Sequence, residues 1–255
     1  MDFLKILDAL MGGGAEAGKE SVQLNESLRV KTTKGEFVND TDKTKYKVGA
    51  VSMDVCGVSA RLSFYDIYSA SWALDLPVSE VVQKYLLFLF PEKTGWARLT
   101  WHPDKEAAVC CFFDKATNTC KLKTNRPFSC KLLPFAISLK GEEIKLLDHT
   151  EEIFRGKYPV TKERTIAKFW KESLVTEEAK VSYKEYQLTV AGWKGKYDLV
   201  NLLPKNYEEI YKIAFGFEDI LSIQKNREIK VPPAKLQSIV LQTISKYLEG
   251  LNLRI

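Results

Sequence analysis

The stretch CCFFDKATNTCKLKTNRPFSCKLLPF, residues 110–135, decides the fold because it holds four of the chain's five cysteines. Three of them, Cys111, Cys120 and Cys130, follow the spacing C-x8-C-x9-C. The odd number of cysteines and the absence of a secretory signal pattern argue against a disulfide framework. Three thiolates from one short stretch, with a fourth ligand from elsewhere, suit a soft or borderline metal. The alternative is that these cysteines are small, buried apolar residues.

The distance between cysteines along the chain indicates which metal to expect. No C-x2-C pair occurs in the 255 residues, so the pattern is not that of a zinc finger. Single, widely spaced cysteines suit an iron–sulfur cubane, whose four corners point apart. We therefore prefer a [4Fe–4S] cluster and keep Zn²⁺ as the alternative. Four thiolate ligands leave no open position on the metal, which disfavours hydrolytic or Lewis-acid catalysis.

The same stretch resembles the YkgJ-type cysteine-cluster family, which is described as a zinc- or iron-chelating domain. The second half of the family pattern is matched by Cys111-Phe112-Phe113, Cys120-Lys121-Leu122, Arg126-Pro127, Cys130-Lys131 and Pro134-Phe135. The first half, a cysteine-rich knot with Cys-Gly followed by a helix, is matched by Cys56-Gly57, Leu62-Ser63 and Asp66-Ile67. The resemblance covers residues 50–137.

The chain departs from the family pattern in its number of cysteines. Met53, Ser59 and Ala60 stand where the family has further cysteines. No cysteine follows Phe135. The resemblance therefore implies a reduced ligand set, which is Cys56, Cys111, Cys120 and Cys130. Four thiolates are enough for one Zn²⁺ ion or one [4Fe–4S] cluster.

Four further residues near the motif have open roles. In a strand, the side chain of Cys110 would point away from that of Cys111 and pack as a core thiol; a bulge would let Cys110 replace Cys111 as ligand. The only histidines, His102 and His149, are spare ligands, and His149 is preferred because family cysteines follow at that point. We expect Arg126 to hydrogen-bond backbone carbonyls or groups of the ligand loops.

The pattern of apolar residues predicts an α+β fold in three parts. Residues 1–26 form an N-terminal helix and a mobile connection. Residues 27–150 form a small cysteine-cluster domain of short strands and a helix pair. Residues 151–255 form a mainly helical C-terminal part that packs on this domain.

Capping residues, glycines and prolines predict the individual elements. The strands are expected within residues 27–40 around Lys34-Gly35, at 46–53, 97–101 and 107–113, and in a hairpin of 136–139 with 144–147. The helices are expected at 64–74 after Ser63, at 80–90, at 162–174, at 177–190, at 210–223 after a capping box of Asn206 and Glu209, and at 234–250. The last helix carries an apolar stripe of Leu236, Ile239, Val240, Ile244, Tyr247 and Leu248.

Charge and composition limit the partners. The net charge of +5 permits a nucleic-acid partner but does not argue for one. Between residues 111 and 140, six basic residues accompany the single acid Asp114, and such cations offset the negative charge of thiolates. The longest apolar run is far shorter than the roughly 20 residues of a membrane span, so we expect no membrane contact and a cytoplasmic location.

The leading function is a cytosolic metal-binding protein with one cysteine-ligated centre in a structural, redox or sensing role. One alternative is a protein-modifying enzyme, because the flagellin lysine methylase of bacteria carries a similar cysteine cluster. The other is an interaction module of a larger protein or nucleic-acid assembly, which would contact its partner through the helical C-terminal part. The sequence contains no nucleotide-binding glycine motif that would select among them.

Overall fold

A computed structural model describes residues 37–38, 45–48, 60–89, 96, 98–102, 110–117, 119–132, 135–140, 143–148, 162–165, 175–216 and 231–252. The sequence expectations at Cys56, His149, the N-terminal helix and the turn at Lys34-Gly35 lie outside these residues, as do residues 49–53, 166–174 and 217–223 of the predicted strand and helices.

Helix α1 (Phe64–Leu74) and helix α2 (Val78–Tyr85) form the predicted helix pair. Ser63 caps α1 in a capping box with Asp66. The Ser63 hydroxyl accepts the backbone N–H of Asp66, and the Asp66 carboxylate accepts the backbone N–H of Ser63. Asp75 ends α1 in the left-handed region with φ of 52°. The helix pair is confirmed, but the second helix ends five residues earlier than expected.

The described strands are short and pair in an antiparallel manner. They are β1 (Phe37–Val38), β2 (Lys45–Val48), β3 (Leu86–Leu89), β4 (Arg98–Trp101), β5 (Phe113–Asp114), β6 (Thr119–Cys120), β7 (Phe135–Lys140), β8 (Glu143–Asp148) and β9 (Lys162–Thr165). Their sheets are β1-β8-β7, β2-β9, β3-β4 and β5-β6. The β7–β8 hairpin is confirmed, with Lys140 opposite Glu143.

Three long helices follow the strands: α4 (Glu177–Lys196), α5 (Leu199–Phe215) and α6 (Pro233–Asn252). Thr176 caps α4 as predicted. The described residues thus combine helices with small antiparallel sheets, and the α+β prediction holds in this coarse sense. Within the described residues, no helix is both long enough and apolar enough to cross a membrane.

Two segments that were predicted as helix are strands. Leu86–Leu89, expected at the end of the second helix, pairs with Arg98–Trp101. Lys162–Thr165, expected to begin a helix, pairs with Lys45–Val48. A short apolar or mixed run suits either element, and the distant partner strand decides between them.

The predicted capping box at Asn206 is also wrong. Helix α5 begins seven residues earlier, where the Asp198 carboxylate accepts the N–H of Asn201 at 3.4 Å. Asn206 lies within the helix, and its side-chain amide donates to the Leu202 carbonyl at 2.8 Å. An aspartate is as good an N-cap as asparagine, so local chemistry alone does not choose between the two starts.

One core joins α1 to the three C-terminal helices. The Phe64 ring meets those of Tyr186 and Phe215 edge-on, with centroids 5.3 and 5.7 Å away. The Tyr68 hydroxyl donates to the Ala214 carbonyl at 2.7 Å. Of the predicted stripe on α6, the buried members are Leu236, Val240, Ile244 and Leu248, whereas Ile239 is exposed. Helix α1 therefore carries the cysteine-bearing loops on one side and contacts the helical part on the other.

Candidate metal centre

Each described cysteine is half-buried and lies next to an apolar residue that is fully buried. The thiols are those of Cys110, Cys111, Cys120 and Cys130, and none of the four forms a disulfide. Their buried neighbours along the chain are Phe112, Leu122, Phe128 and Leu132. Burial of these neighbours fixes the loops at the edge of the core, because a fully buried aromatic or leucine contributes about 1.5–3 kcal/mol. The cysteines are thereby held at the margin of the core.

Cys110 and Cys111 lie at the start of a turn that leads into β5, so of the predicted strand over residues 107–113 the described part is strand only at Phe113. The Phe113 N–H donates to the Cys110 carbonyl at 2.8 Å, and the Cys111 N–H donates to the His102 carbonyl at 3.2 Å. In this turn the two thiols lie close enough to form a hydrogen bond with each other. Cys110 is therefore a neighbour of Cys111 rather than a thiol on the opposite face.

Phe112 anchors this turn. Its ring lies edge-on to that of Trp101 with centroids 5.0 Å apart, and tilted against that of Tyr85 at 4.8 Å. Its carbonyl accepts the N–H of Lys121 at 2.8 Å. The ring and the carbonyl together tie the Cys110–Cys111 turn to the chain around Cys120.

Cys120 lies on β6, directly opposite Phe113 on β5. The turn between these strands is closed by the Asp114 carboxylate, which accepts the Ala116 N–H at 3.0 Å and the Thr117 hydroxyl at 2.9 Å. Such aspartate turns mimic a backbone turn and fix the hairpin locally. The hairpin therefore brings Cys120 to the Cys110–Cys111 turn across nine residues of chain.

Cys130 lies in a single helical turn, α3 (Phe128–Lys131). The Phe128 N–H donates to the Asp66 carboxylate at 2.9 Å, and the Ser129 hydroxyl donates to the Arg61 carbonyl at 3.0 Å. Both partners belong to the chain at the start of α1, which follows Cys56 by a few residues. Cys130 is thus tied to the start of α1, whereas Cys120 is tied to the turn of Cys110 and Cys111.

The thiols differ in acidity. The hydrogen bond from Cys111 lowers the pKa of Cys110, and the same bond together with burial raises the pKa of Cys111. Burial raises the pKa of Cys120, and the nearby Arg126 guanidinium opposes this rise. A thiolate is the form that binds metal, so these shifts favour the thiolate of Cys110 over those of Cys111 and Cys120.

Two cations of the motif lie near the cysteines. Arg126 is close enough to Cys120 and Lys131 to interact electrostatically with both. Burial lowers the pKa of Lys131, and the Asp66 carboxylate opposes this effect. Positive charge beside thiolate ligands offsets their mutual repulsion. The expected hydrogen bond from Arg126 to a backbone carbonyl stays a prediction.

His102 is the histidine that the fold brings beside a cysteine, whereas the sequence favoured His149. The backbone N–H of His102 donates to the Tyr85 carbonyl at 2.8 Å, and the backbone carbonyl of His102 accepts the backbone N–H of Cys111. The sequence contained a signal for this position of His102: the predicted strand ends at Trp101, so His102 follows it directly. In the fold, His102 therefore lies beside Tyr85 at the end of α2. His102 is half-buried there.

The structure describes three of the four predicted ligands, and they fall into two groups along the fold. Cys111 and Cys120 lie with Cys110 at the β5–β6 hairpin, and Cys130 lies on α3. In the part of the chain that the structure describes, no three His, Cys, Asp or Glu side chains lie close enough together to hold a metal ion. A shared centre would require the two groups to approach each other.

Comparison with known proteins finds no matching family model, no matching curated protein and no matching solved structure. The resemblance to the YkgJ-type family stays a prediction from the motif.

Proposed function

We propose that this chain binds one metal centre through the thiolates of Cys56, Cys111, Cys120 and Cys130, in a structural, redox or sensing role. A [4Fe–4S] cluster is preferred over Zn²⁺, because the cysteines are single and widely spaced. The observation that carries the proposal is that all four described cysteines are half-buried at the edge of the core and none of the four forms a disulfide. Cysteines that served only as core residues would more often be fully buried.

The donor chemistry supports a soft or borderline metal. Four sulfurs, with no grouped carboxylates among the residues that the structure describes, suit zinc or iron–sulfur clusters rather than calcium or magnesium. Arg126 and Lys131 lie beside the predicted ligands and would offset the charge that four thiolates accumulate. The same charges would raise the potential of a cluster, which suits a redox or sensing role.

Binding is expected to draw the two groups of cysteines together. Metal sites in small domains often form only as the metal binds, because unliganded thiolates repel one another. Cys56 precedes Ala60 by four residues, which can span at most about 14 Å. Ala60 adjoins Arg61, whose carbonyl holds Ser129 beside Cys130. The chain from Cys56 to Ala60 is therefore long enough for Cys56 to join Cys130 in one centre.

The proposed organisation follows from this placement. Residues 27–150 act as the cysteine-cluster domain, and residues 151–255 act as a helical part that supports it and offers a surface to a protein partner. Large apolar side chains are exposed on that part at Val181, Val200 and Ile239. A cytoplasmic location fits the proposal because reducing conditions keep thiols available to metal. The methylase and interaction-module alternatives stay predictions.

Anaerobic purification followed by metal analysis and an absorption spectrum tests the proposal. A broad visible band with about four iron per chain is the expected result for one cubane. A colourless protein with about one zinc per chain would support the proposed cysteine site, with Zn²⁺ as its metal instead of the preferred [4Fe–4S] cluster. A well-folded protein with neither metal would overturn the proposal.

A further inference from the structure

Asp66 is a buried carboxylate whose two oxygens serve different parts of the chain. The residue is only 2% exposed. Oδ2 accepts both the N–H and the hydroxyl of Ser63, each at 2.8 Å, and this completes the cap of α1. Oδ1 accepts the N–H of Phe128 at 2.9 Å, from a residue 62 positions later. The cap needs only Oδ2, so the bond from Oδ1 to Phe128 is an additional function.

That additional bond controls the turn that carries Cys130. Phe128 is the first residue of α3, and Pro127 before it has no N–H. The Phe128 N–H is therefore the first backbone donor after the Arg126-Pro127 pair that can fix the turn. Phe128 is 1% exposed, and its ring centroid lies 4.8 Å from that of Tyr183 on α4. The Phe128 ring therefore packs against the helical part, while its backbone N–H is bonded to Asp66.

We propose that Asp66 is the positioning residue for Cys130, setting through the Phe128 N–H where this thiolate enters the metal centre. The inference rests on the proposed function. A positioning contact of this kind around a metal site is generally worth 10–100-fold in metal affinity. Asp66 hydrogen-bonds to the turn that carries Cys130, and it is not itself a metal ligand in this proposal.

Asp66→Asn and Ser63→Ala separate positioning from capping. The amide of Asp66→Asn has one oxygen, so it can serve Ser63 or Phe128 but not both. Ser63→Ala removes the hydroxyl of the cap and leaves the carboxylate free to hold Phe128. Asp198→Asn is a second control, because Asp198 caps α5 and contacts Asn201 rather than the cysteine loops.

The experiment challenges each anaerobically purified, metal-loaded protein with EDTA and measures metal retention. We expect Asp66→Asn to hold its metal 10–100-fold less tightly than the unsubstituted protein, and Ser63→Ala and Asp198→Asn to stay within about threefold of it. Equal retention in Asp66→Asn and Ser63→Ala would overturn the inference while leaving the proposed function intact. An unsubstituted chain that takes up neither iron nor zinc would overturn both.

Amide hydrogen exchange of the unsubstituted protein gives a readout that does not depend on the variants folding. The Phe128 amide is expected to exchange far more slowly than that of the exposed Lys115, because Asp66 holds it in a buried site. In Asp66→Asn this protection should fall, and in Ser63→Ala it should remain. Equal exchange of Phe128 and Lys115 in the unsubstituted protein would overturn the inference.

Discussion

Cys110 and Cys111 are adjacent in the chain, and the hydrogen bond between their thiols makes them chemically unequal. The motif assigns Cys111 as the ligand through its spacing to Cys120, whereas the turn brings Cys110 to the same place. Strand alternation no longer separates the two residues. Their roles therefore have to be separated by substitution and by reactivity.

The metal-free chain should show this inequality in its reaction with iodoacetamide. The hydrogen bond from Cys111 lowers the pKa of Cys110, and burial raises that of Cys120. Because the thiolate is the nucleophile, we expect Cys110 to be alkylated at lower pH than Cys120. Mass spectrometry across a pH series measures both rates, and an inverted order would contradict the assigned thiol pair.

Serine substitutions test which of the two adjacent residues is the ligand. Cys111→Ser replaces a soft donor by a poor one, and we expect it to lose the metal. Cys110→Ser exchanges a packed thiol for a hydroxyl, and we expect it to keep the metal at a stability cost of about 1–3 kcal/mol. Metal analysis of both proteins is the measurement. Loss in Cys110→Ser with retention in Cys111→Ser would move the ligand to Cys110.

At the scale of elements, the sheet of β3 and β4 contains an unusual pair of neighbours. The hydroxyl of Thr100 and the indole N–H of Trp101 are buried, and neither has a hydrogen-bond partner among the described residues. A buried polar group without a partner costs about 1–3 kcal/mol. Thr100 is 1% exposed, so its hydroxyl has no contact with water and lowers the free energy of unfolding by that amount.

Thr100→Val removes that hydroxyl and keeps the shape of the side chain. We expect thermal unfolding to occur at higher temperature, with a gain of up to about 1–2 kcal/mol in the free energy of unfolding. Thr124→Val, at an exposed position beyond β6, is the control and should change little. A marked loss of stability in Thr100→Val would show that the hydroxyl has a partner.

Elements with local signals were predictable, and elements fixed by distant partners were not. Ser63, Thr176 and the Lys140-Gly141-Glu142 turn identify α1, α4 and the β7–β8 hairpin because each signal lies within the element. Leu86–Leu89 and Lys162–Thr165 read as helix locally, and pairing with β4 and β2 overrides that preference.

The candidate site follows the same division. The motif put Cys111 and Cys120 in one ligand set, but the β5–β6 hairpin that joins them was not predicted. The bond from Phe128 to Asp66 links residues 62 positions apart, and only the tertiary fold shows it. The turn at Cys110 was missed because alternation was assumed in a segment that instead folds back on His102.

At the scale of the whole molecule, Gln237 joins the helical part to the start of α1. It is fully buried; its Oε1 accepts the Tyr65 N–H at 2.9 Å, and its Nε2 donates to the Ser182 carbonyl at 2.7 Å. Tyr65 precedes Asp66, so α4 and α6 are connected through Gln237 to the residue that holds Phe128. The C-terminal helices thereby support the start of α1, to which the turn of Cys130 is tied.

Gln237→Ala should therefore weaken the whole fold. It leaves a buried N–H and a buried carbonyl without their partner, which costs about 1–3 kcal/mol. Gln242→Ala, at an exposed position of the same helix, is the matched control and should lie within about 0.5 kcal/mol of the unsubstituted protein. Denaturant unfolding measures both, and equal stability of the two variants would contradict the connecting role of Gln237.

The central claim is that one metal centre joins the two groups of cysteines and stabilises the fold. A centre shared by Cys56 and Cys111 closes a loop of 55 residues, and losing such a link costs about 2–5 kcal/mol. Cys120→Ser and Cys130→Ser each remove a ligand from a different group.

The metal content per chain, measured together with the melting temperature in these two variants, tests this claim most directly. We predict about four iron, or about one zinc, in the unsubstituted protein. We predict metal-free or insoluble protein in both variants. Normal metal content and an unchanged melting temperature in Cys120→Ser and Cys130→Ser would contradict it.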